Sequence, residues 1–469
     1  MKFTQPDLAI IGSGSGNTLI TPFWDDKQVV MFERNTEFFG GTCLNVGCIP
    51  TKMFVRSADA ARNPEEAARL NVTQETTAVD WQGIRDRVFG RIDPISEGGK
   101  RYRAEELENV ELISDTAILT GGTGVRTPDG REMSPKQLVI AAGSRPRLPE
   151  IPGVDLPGVH TSDTVMRMDT LPERIMIVGG GFIACEFASI FSGLGASVVQ
   201  TNRSGQLMKG MDSEIGVAYT DAVSKQWEIH DGLEPKAIRQ NGDRLVYVAS
   251  SLNGQPDREF EVDAILFAIG RVPNTDLLGA EAAGFDLHRD GRLAVDEYQR
   301  VLANGEPVPG VWALGDISSP HQLKHVANHE ARVVGHNMEN PHDLQRSDTM
   351  PVVSATFTHP ELARVGLTEV QAKEQFGEEN ILVKVQRYGD TAFGWALEDS
   401  TGLFKIVAEK STGKILGADV MGYQASNIIQ PVVMAMSFGI DAKTAARGQY
   451  WPHPALSEVA ENAMLGLFE

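Results

Sequence analysis

The sequence predicts an α/β protein in which two doubly wound, parallel-sheet domains precede a C-terminal α+β domain. Three observations carry that expectation. Two segments far apart in the chain, DLAIIGSGSGN (7–17) and RIMIVGGGFIACEFA (174–188), each read as a short apolar run, a glycine cluster and a helix-like stretch, the opening of a βαβ unit. Two further apolar runs, QLVIAAGSRP (137–146) and EVDAILFAIGRVPN (261–274), end in glycine, arginine and proline, as strand-to-turn junctions do. From about residue 346 the pattern changes, and GLFKIVAEKSTGKILGADVMG alternates like two antiparallel strands joined at STGK. The domains expected are a discontinuous first one over 1–155 and 273–345, a second inserted over 156–272, and a third over 346–469.

Composition bounds what such a chain does. With 469 residues, 41% of them hydrophobic, it can bury several cores. A net charge of -20 argues against sequence-independent binding of nucleic acid or an anionic membrane, both of which need a basic face. The N-terminus, MKFTQPDLAIIGSG, has no basic region leading into a long apolar run, and no stretch of about 18 uninterrupted apolar residues occurs. A cytoplasmic location is expected.

In the first glycine loop, Gly12 and Gly14 allow a tight turn and close approach of backbone to a pyrophosphate resting on the following helix N-terminus. Position 17, where helix–strand packing asks for a small residue, holds Asn17. Glu33 ends the next apolar run, QVVMFER, where a carboxylate accepts both hydroxyls of an adenosine ribose; a solvated strand end is the bland alternative.

Cys43 and Cys48, two of only three cysteines, enclose four residues in GGTCLNVGCIPTK. A metal site would need further Cys or His ligands in compact spacing, and none is expected. The spacing leaves both a structural disulfide and a redox pair open, although a staple is unusual in a reducing compartment. In the second glycine loop, Gly179, Gly181 and Ala184 complete the dinucleotide fingerprint. The next strand ends with Asn202, Arg203 and then Lys209 instead of an acid. Cations there suit a 2′-phosphate, so NADP is expected over NAD.

Cys185 stands alone and reads as a small buried apolar residue. The strand GVWALGDISS ends in Asp316, placed to hold a ribityl hydroxyl, or simply a turn. IIQPVVMAMSFGI is too apolar for a solvated helix and too short to span a bilayer, which leaves core or subunit interface. His453 and Glu458 in HPALSE form a possible proton-transfer pair, although a His before Pro is more often a turn residue.

Taken in order, GGTCLNVGCIPTK, GGGFIACEFA, FAIGRVPN, LGDISS and HPALSE resemble the pyridine nucleotide–disulfide oxidoreductases, flavoproteins that include glutathione reductase and lipoamide dehydrogenase. The resemblance covers essentially the whole chain. It implies two Rossmann-like domains, for FAD and NADPH, and a C-terminal dimerisation domain. FAD would lie among Gly12, Gly14, Glu33, Gly143 and Asp316, with Lys52 near its N5 atom and paired to Glu186; NADPH would lie among Gly179, Gly181, Ala184, Arg203, Lys209 and Gly270.

It further implies that Cys48 faces the flavin, that Cys43 exchanges with substrate, and that His453, supported by Glu458, acts on Cys43 of the partner chain in a homodimer. Phe182 stands where many relatives have a tyrosine lid, and Ala455 where the usual tract has threonine. The longer tracts FFGGTCLNVGCIPTKMFV, VFGRIDPI, HTSDTVMRM, KHVANHEARVVGHN and ARGQYWPHPALSEVAENAML resemble the branch that reduces mycothiol disulfide, whose thiol is a sugar–inositol compound. Lipoamide dehydrogenase and glutathione-disulfide reductase activities are the rivals within the family. A flavoprotein without catalysis is the rival outside it.

Overall fold

A computed structural model describes residues 3–469. The chain divides into two compact units. The first comprises the residues up to Thr51, Arg85–Arg147 and Gly270–Thr349; the second comprises Lys52–Ile84, Leu148–Ile269 and Met350–Glu469.

The first unit is built on a six-stranded sheet in the order Arg300–Ala303, Glu306–Ala313, Gln137–Ile140, Leu8–Ile11, Val29–Phe32, Val110–Ile113. All neighbours are parallel except the first pair. Parallel strands are buried on both faces, which is why LAII and VVMF are apolar throughout instead of alternating. Ala9, Ile11, Val30 and Phe32 face one core, and Leu8, Ile10, Val29 and Met31 the other.

One expected element differs. After the first glycine loop the chain forms only a 3-10 turn, Ser15–Leu19, and a second short one, Pro22–Trp24, where the sequence pattern predicts a helix. Proline at 22 disfavours helical backbone at Thr21, and the run NTLIT is rich in β-branched side chains, so an α-helix stops before it starts. The core that such a helix would cover is filled by Leu19 and Trp24 together with Ala331, Val334 and Met338 of the helix Lys324–Glu339.

The second unit carries a five-stranded parallel sheet in the order Glu228–His230, Ser197–Thr201, Arg174–Val178, Ala264–Phe267, Val159–Thr161. Here the glycine loop does lead into a helix, Phe182–Gly193. An antiparallel three-stranded sheet, Leu233–Asn241, Arg244–Ser251 and Arg258–Val262, packs on it through Tyr247, Phe260 and Val178.

Towards the C-terminus lies an antiparallel sheet in the order Val353–Thr356, Glu361–Gly366, Ile415–Gly422, Leu403–Glu409, Ile381–Arg387. The strands joined through STGK are neighbours in it. The apolar run at 428–440 becomes the helix Gln430–Ser437, with Val432 and Ala435 buried and Met434 and Phe438 exposed, the latter to 76%. Among the described residues no helix is long and apolar enough to cross a membrane.

Candidate active site

Glycines set the approach of two loops in the first unit. Gly12 has φ +103, and a Cβ there would lie 2.4 Å from the Ala141 carbonyl oxygen. Gly41, at φ +80, passes so close to the nucleotide loop that a Cβ would lie 2.7 Å from Gly14 Cα. The cysteine segment is therefore seated directly on the Gly12–Gly14 loop. Ser13 ties the two together: its hydroxyl accepts from Gly40 N at 2.9 Å and donates to Glu33 Oε2 at 2.7 Å, while Ser13 N donates to the same oxygen at 2.9 Å. Asn17 accepts from Arg103 Nε at 2.9 Å. The small residue that packs against the strands is instead Gly16, one place earlier, where a Cβ would lie 2.9 Å from both Ala141 Cβ and Ile10 Cγ2.

Beyond the C-terminal ends of the adjacent strands Gln137–Ile140 and Glu306–Ala313, Asp316 Oδ2 accepts from the Ser144 hydroxyl at 2.6 Å and lies 3.7 Å from Arg271 Nε. Gly315 N donates to the buried Glu330, whose carboxyl is pushed up by burial. Gly143, at φ +63, accepts from Asn274 N at 3.1 Å, and Gly270, at φ +115, accepts from Arg147 N at 2.9 Å.

Cys43 sits in the short helix Gly41–Asn45, and Cys48 begins the long helix Cys48–Arg69. Both are free thiols and share a hydrogen bond. That bond from Cys48 is the main influence bringing the Cys43 thiol down to about 7, helped by the Lys324 ammonium and by the backbone N–H groups of Cys48 and Ile49 at the helix N-terminus, and opposed by burial. The same bond, together with burial, pushes Cys48 well up. The pair therefore holds its first negative charge on Cys43. Lys324, whose ammonium also donates to Ser15 Oγ at 2.8 Å, is absent from the residues singled out in the sequence. Its only signal was its place at the head of KHVANHEARVVGHN.

One turn along from Cys48, Lys52 is on the same side of the helix. Its ammonium lies 3.6 Å from Glu361 Oε1 and 3.7 Å from the Phe357 ring centroid. Glu186 accepts from Phe357 N at 2.8 Å. Lys52 and Glu186, expected to pair, thus both touch Phe357, while the carboxylate beside the Lys52 ammonium is Glu361; the sequence pattern flagged neither Phe357 nor Glu361.

In the second glycine loop Gly179 has φ +137, and a Cβ there would stand 2.3 Å from the Ala268 carbonyl. Gly181 caps the helix Phe182–Gly193, and Ala184 is fully buried beneath it. Phe182 is exposed at the first helical position. Asn202 is buried and accepts from Ser204 N at 2.8 Å, so it shapes the turn from which exposed Arg203 and Lys209 project. Cys185 is buried against Gly180 and Gln200, with its thiol pushed up to about 12 by burial.

Both loops fit a dinucleotide: the first glycine of each, Gly12 and Gly179, admits no Cβ in its tight turn, and the backbone of the second, Gly14 and Gly181, is left open to close approach. Near the C-terminus, His453 Nδ1 lies 2.7 Å from Glu458 Oε1, which leaves Nε2 of an imidazole that is 67% exposed pointing away from the carboxylate. Glu458 begins the helix Glu458–Leu465 and is itself mostly buried.

Two family models match the chain: pyridine nucleotide-disulphide oxidoreductase over residues 6–331 and the dimerisation domain of the same family over residues 352–464. Mycothione reductase of Mycobacterium tuberculosis is 47% identical, covering 98% of this chain and 99% of that protein. Glutathione reductase of Burkholderia cepacia is 32% identical over 96% of this chain and 97% of its own. Among solved structures, the HOCl-induced flavoprotein disulfide reductase RclA from Escherichia coli, as its Cu(II) complex, is similar with a TM-score of 0.85 at 25% identity, covering 100% of both chains. Two glycine loops shaped for dinucleotides, a thiol pair that stores its charge on one sulfur, and whole-length likeness to disulfide reductases lead to one assignment: the chain belongs to the pyridine nucleotide–disulphide oxidoreductase family.

Proposed function

We propose that this chain reduces mycothiol disulfide with electrons from NADPH, by way of FAD and the Cys43–Cys48 pair, in the cytoplasm and as a homodimer. The observation that carries the chemistry is the lowered Cys43 thiol beside a raised Cys48. The substrate rests on the 47% identity to mycothione reductase. FAD would be held by Gly12, Gly14, Glu33, Gly143, Asp316 and Lys52, and NADPH by Gly179, Gly181, Ala184, Arg203, Lys209 and Gly270. When bound, the flavin supplies two-electron transfer from the nicotinamide to the cysteine disulfide.

The thiol exchange itself belongs to the chain's own residues. The Cys43 thiolate attacks one sulfur of the substrate disulfide, forming a mixed disulfide and expelling the first thiolate. The partner subunit's His453 gives that leaving group its proton, and Glu458, on Nδ1, keeps the imidazole turned so that Nε2 carries it. The Cys48 sulfur, whose proton passes by way of the now neutral imidazole of the partner's His453 to the second leaving thiolate, attacks the Cys43 sulfur, releases the second thiol and restores the disulfide. Lys52 contributes positive charge one helical turn from Cys48 and lowers the cost of negative charge on that side. Exposed Arg203 and Lys209 favour a coenzyme with a 2′-phosphate.

The deciding experiment measures NADPH oxidation by the flavin-loaded enzyme against mycothiol disulfide, glutathione disulfide and lipoamide in parallel. Turnover is expected to be fastest with the first. Preference for either of the others overturns the substrate assignment.

A further inference from the structure

A buried charge cluster lies behind the loop that carries Arg203 and Lys209. Lys405, 4% exposed, stands on the strand Leu403–Glu409 opposite Asp419 of the neighbouring strand, and both sit among side chains that are otherwise apolar. Its ammonium meets three carboxylates: Asp212 Oδ1 at 2.8 Å, Glu214 Oε2 at 3.0 Å and Glu369 Oε2 at 2.6 Å. Three N–H donors thus find three acceptors.

Asp212 is held on every side. Its Oδ1 also caps the helix Ser213–Val223 by accepting from Glu214 N at 3.1 Å, its Oδ2 accepts from Glu369 N at 3.1 Å, and its own N–H donates to Asp419 Oδ1 at 2.9 Å. Asp419, with its carboxyl pushed up to about 6 chiefly by burial, lies 3.9 Å from Arg364.

Asp212 closes the loop over residues 202–211. At its other end Asn202 folds back on Ser204, and in between Met208, at φ +54, donates from its N–H to Gly180 O at 2.8 Å, inside the second glycine loop. The loop is therefore pinned to the glycine turn on one side and, through Asp212, to the C-terminal sheet on the other. Its two exposed cations flank the first of these pins.

We propose that Lys405 is a positioning residue for coenzyme selection: through Asp212 it fixes the loop that offers Arg203 and Lys209 to the 2′-phosphate of NADPH. The proposal rests on the coenzyme reading given above, and both geometry and charge support it. Without the ammonium, the Asp212 carboxylate loses its counter-ion, whereas Glu369 keeps Lys373 at 2.9 Å. The loop end keeps its backbone hydrogen bonds but loses its ion-paired anchor, and the unneutralised Asp212 carboxylate is left behind a site meant for a dianion.

The test compares steady-state kinetics with NADPH and NADH for the flavin-loaded wild type, Lys405→Met and Asp212→Asn. Asparagine still caps a helix, so the second variant keeps the fold if the first does not. Each variant is expected to raise KM for NADPH about tenfold while KM for NADH moves less than about twofold and kcat holds, because only one coenzyme uses the phosphate contact. Adenosine 2′,5′-bisphosphate should lose inhibitory strength in the variants, and 5′-AMP should not. A wild type without preference for NADPH overturns the coenzyme reading and the proposal with it. A wild type that prefers NADPH, with folded variants whose NADPH-to-NADH ratio is unchanged or whose two KM values rise together, overturns the role of Lys405 alone.

Discussion

Substituting Gly41 by alanine tests whether the cysteine segment is seated on the nucleotide loop. Two penalties act together. Residue 41 has φ +80, a region that costs an L side chain about 1–2 kcal/mol. The added methyl would lie 2.7 Å from Gly14 Cα and 3.3 Å from Gly14 N, backbone atoms that no rotamer change moves, so the loops must part by close to 1 Å to regain ordinary contact. Overpacking of that kind adds about 1–3 kcal/mol, for a total of about 2–5 kcal/mol.

Gly90 supplies the opposite control. It lies exposed in the helix Trp81–Arg101, and a Cβ there meets nothing within 4 Å. Gly90→Ala should therefore stabilise by about 0.5–1 kcal/mol. Urea denaturation monitored by flavin fluorescence and by tryptophan emission reads both. Gly41→Ala is expected to lower the midpoint and the flavin content at purification, and Gly90→Ala to raise the midpoint and leave flavin content alone. A Gly41→Ala protein with wild-type midpoint and full flavin content would refute the contact.

Two further expectations concern the chemistry. With the Cys43 thiol near 7 and Cys48 raised, alkylation of the reduced enzyme should rise as pH passes upward through about 7, where the thiol becomes thiolate, and mass spectrometry should find the first label on Cys43; first labelling on Cys48 contradicts the assignment. Glu458→Gln removes the carboxylate 2.7 Å from His453 Nδ1. It should slow disulfide reduction by about 10- to 100-fold while NADPH still reduces the flavin at the wild-type rate, as rapid-mixing absorbance would show; equal loss in both half-reactions would mean that Glu458 serves the fold instead.

Much of the fold was legible because the signals are local. Gly12 and Gly179 are needed where a strand turns under a carbonyl, and the apolar runs LAII and RIMIV are what a strand buried on both faces requires. The helix expected after Gly14 failed for an equally local reason, the proline at 22, which the glycine pattern had overshadowed. Parts of the site were written less openly. Ser13 occupies the free position of the glycine motif, so nothing in its identity announces that it joins Gly40 to Glu33. Lys405 and Asp419 had a faint signal, each a single charge inside an otherwise apolar run, LFKIVA and ILGADVMG. Yet no pattern in either strand points to Asp212.

Sequence alone determined which stretches turn tightly, which strands are buried on both faces, and which two thiols enclose four residues, because each depends on backbone and side-chain preferences within a few positions. Only the tertiary structure decided that Gly41 rests on Gly14, that Lys324 adds to the Cys48 hydrogen bond in drawing the charge onto Cys43, and that Lys405 grips Asp212 from 193 positions away. Those outcomes are sums of contacts between residues distant in the chain. Their sign and size depend on how far burial strips away water, which no local pattern records.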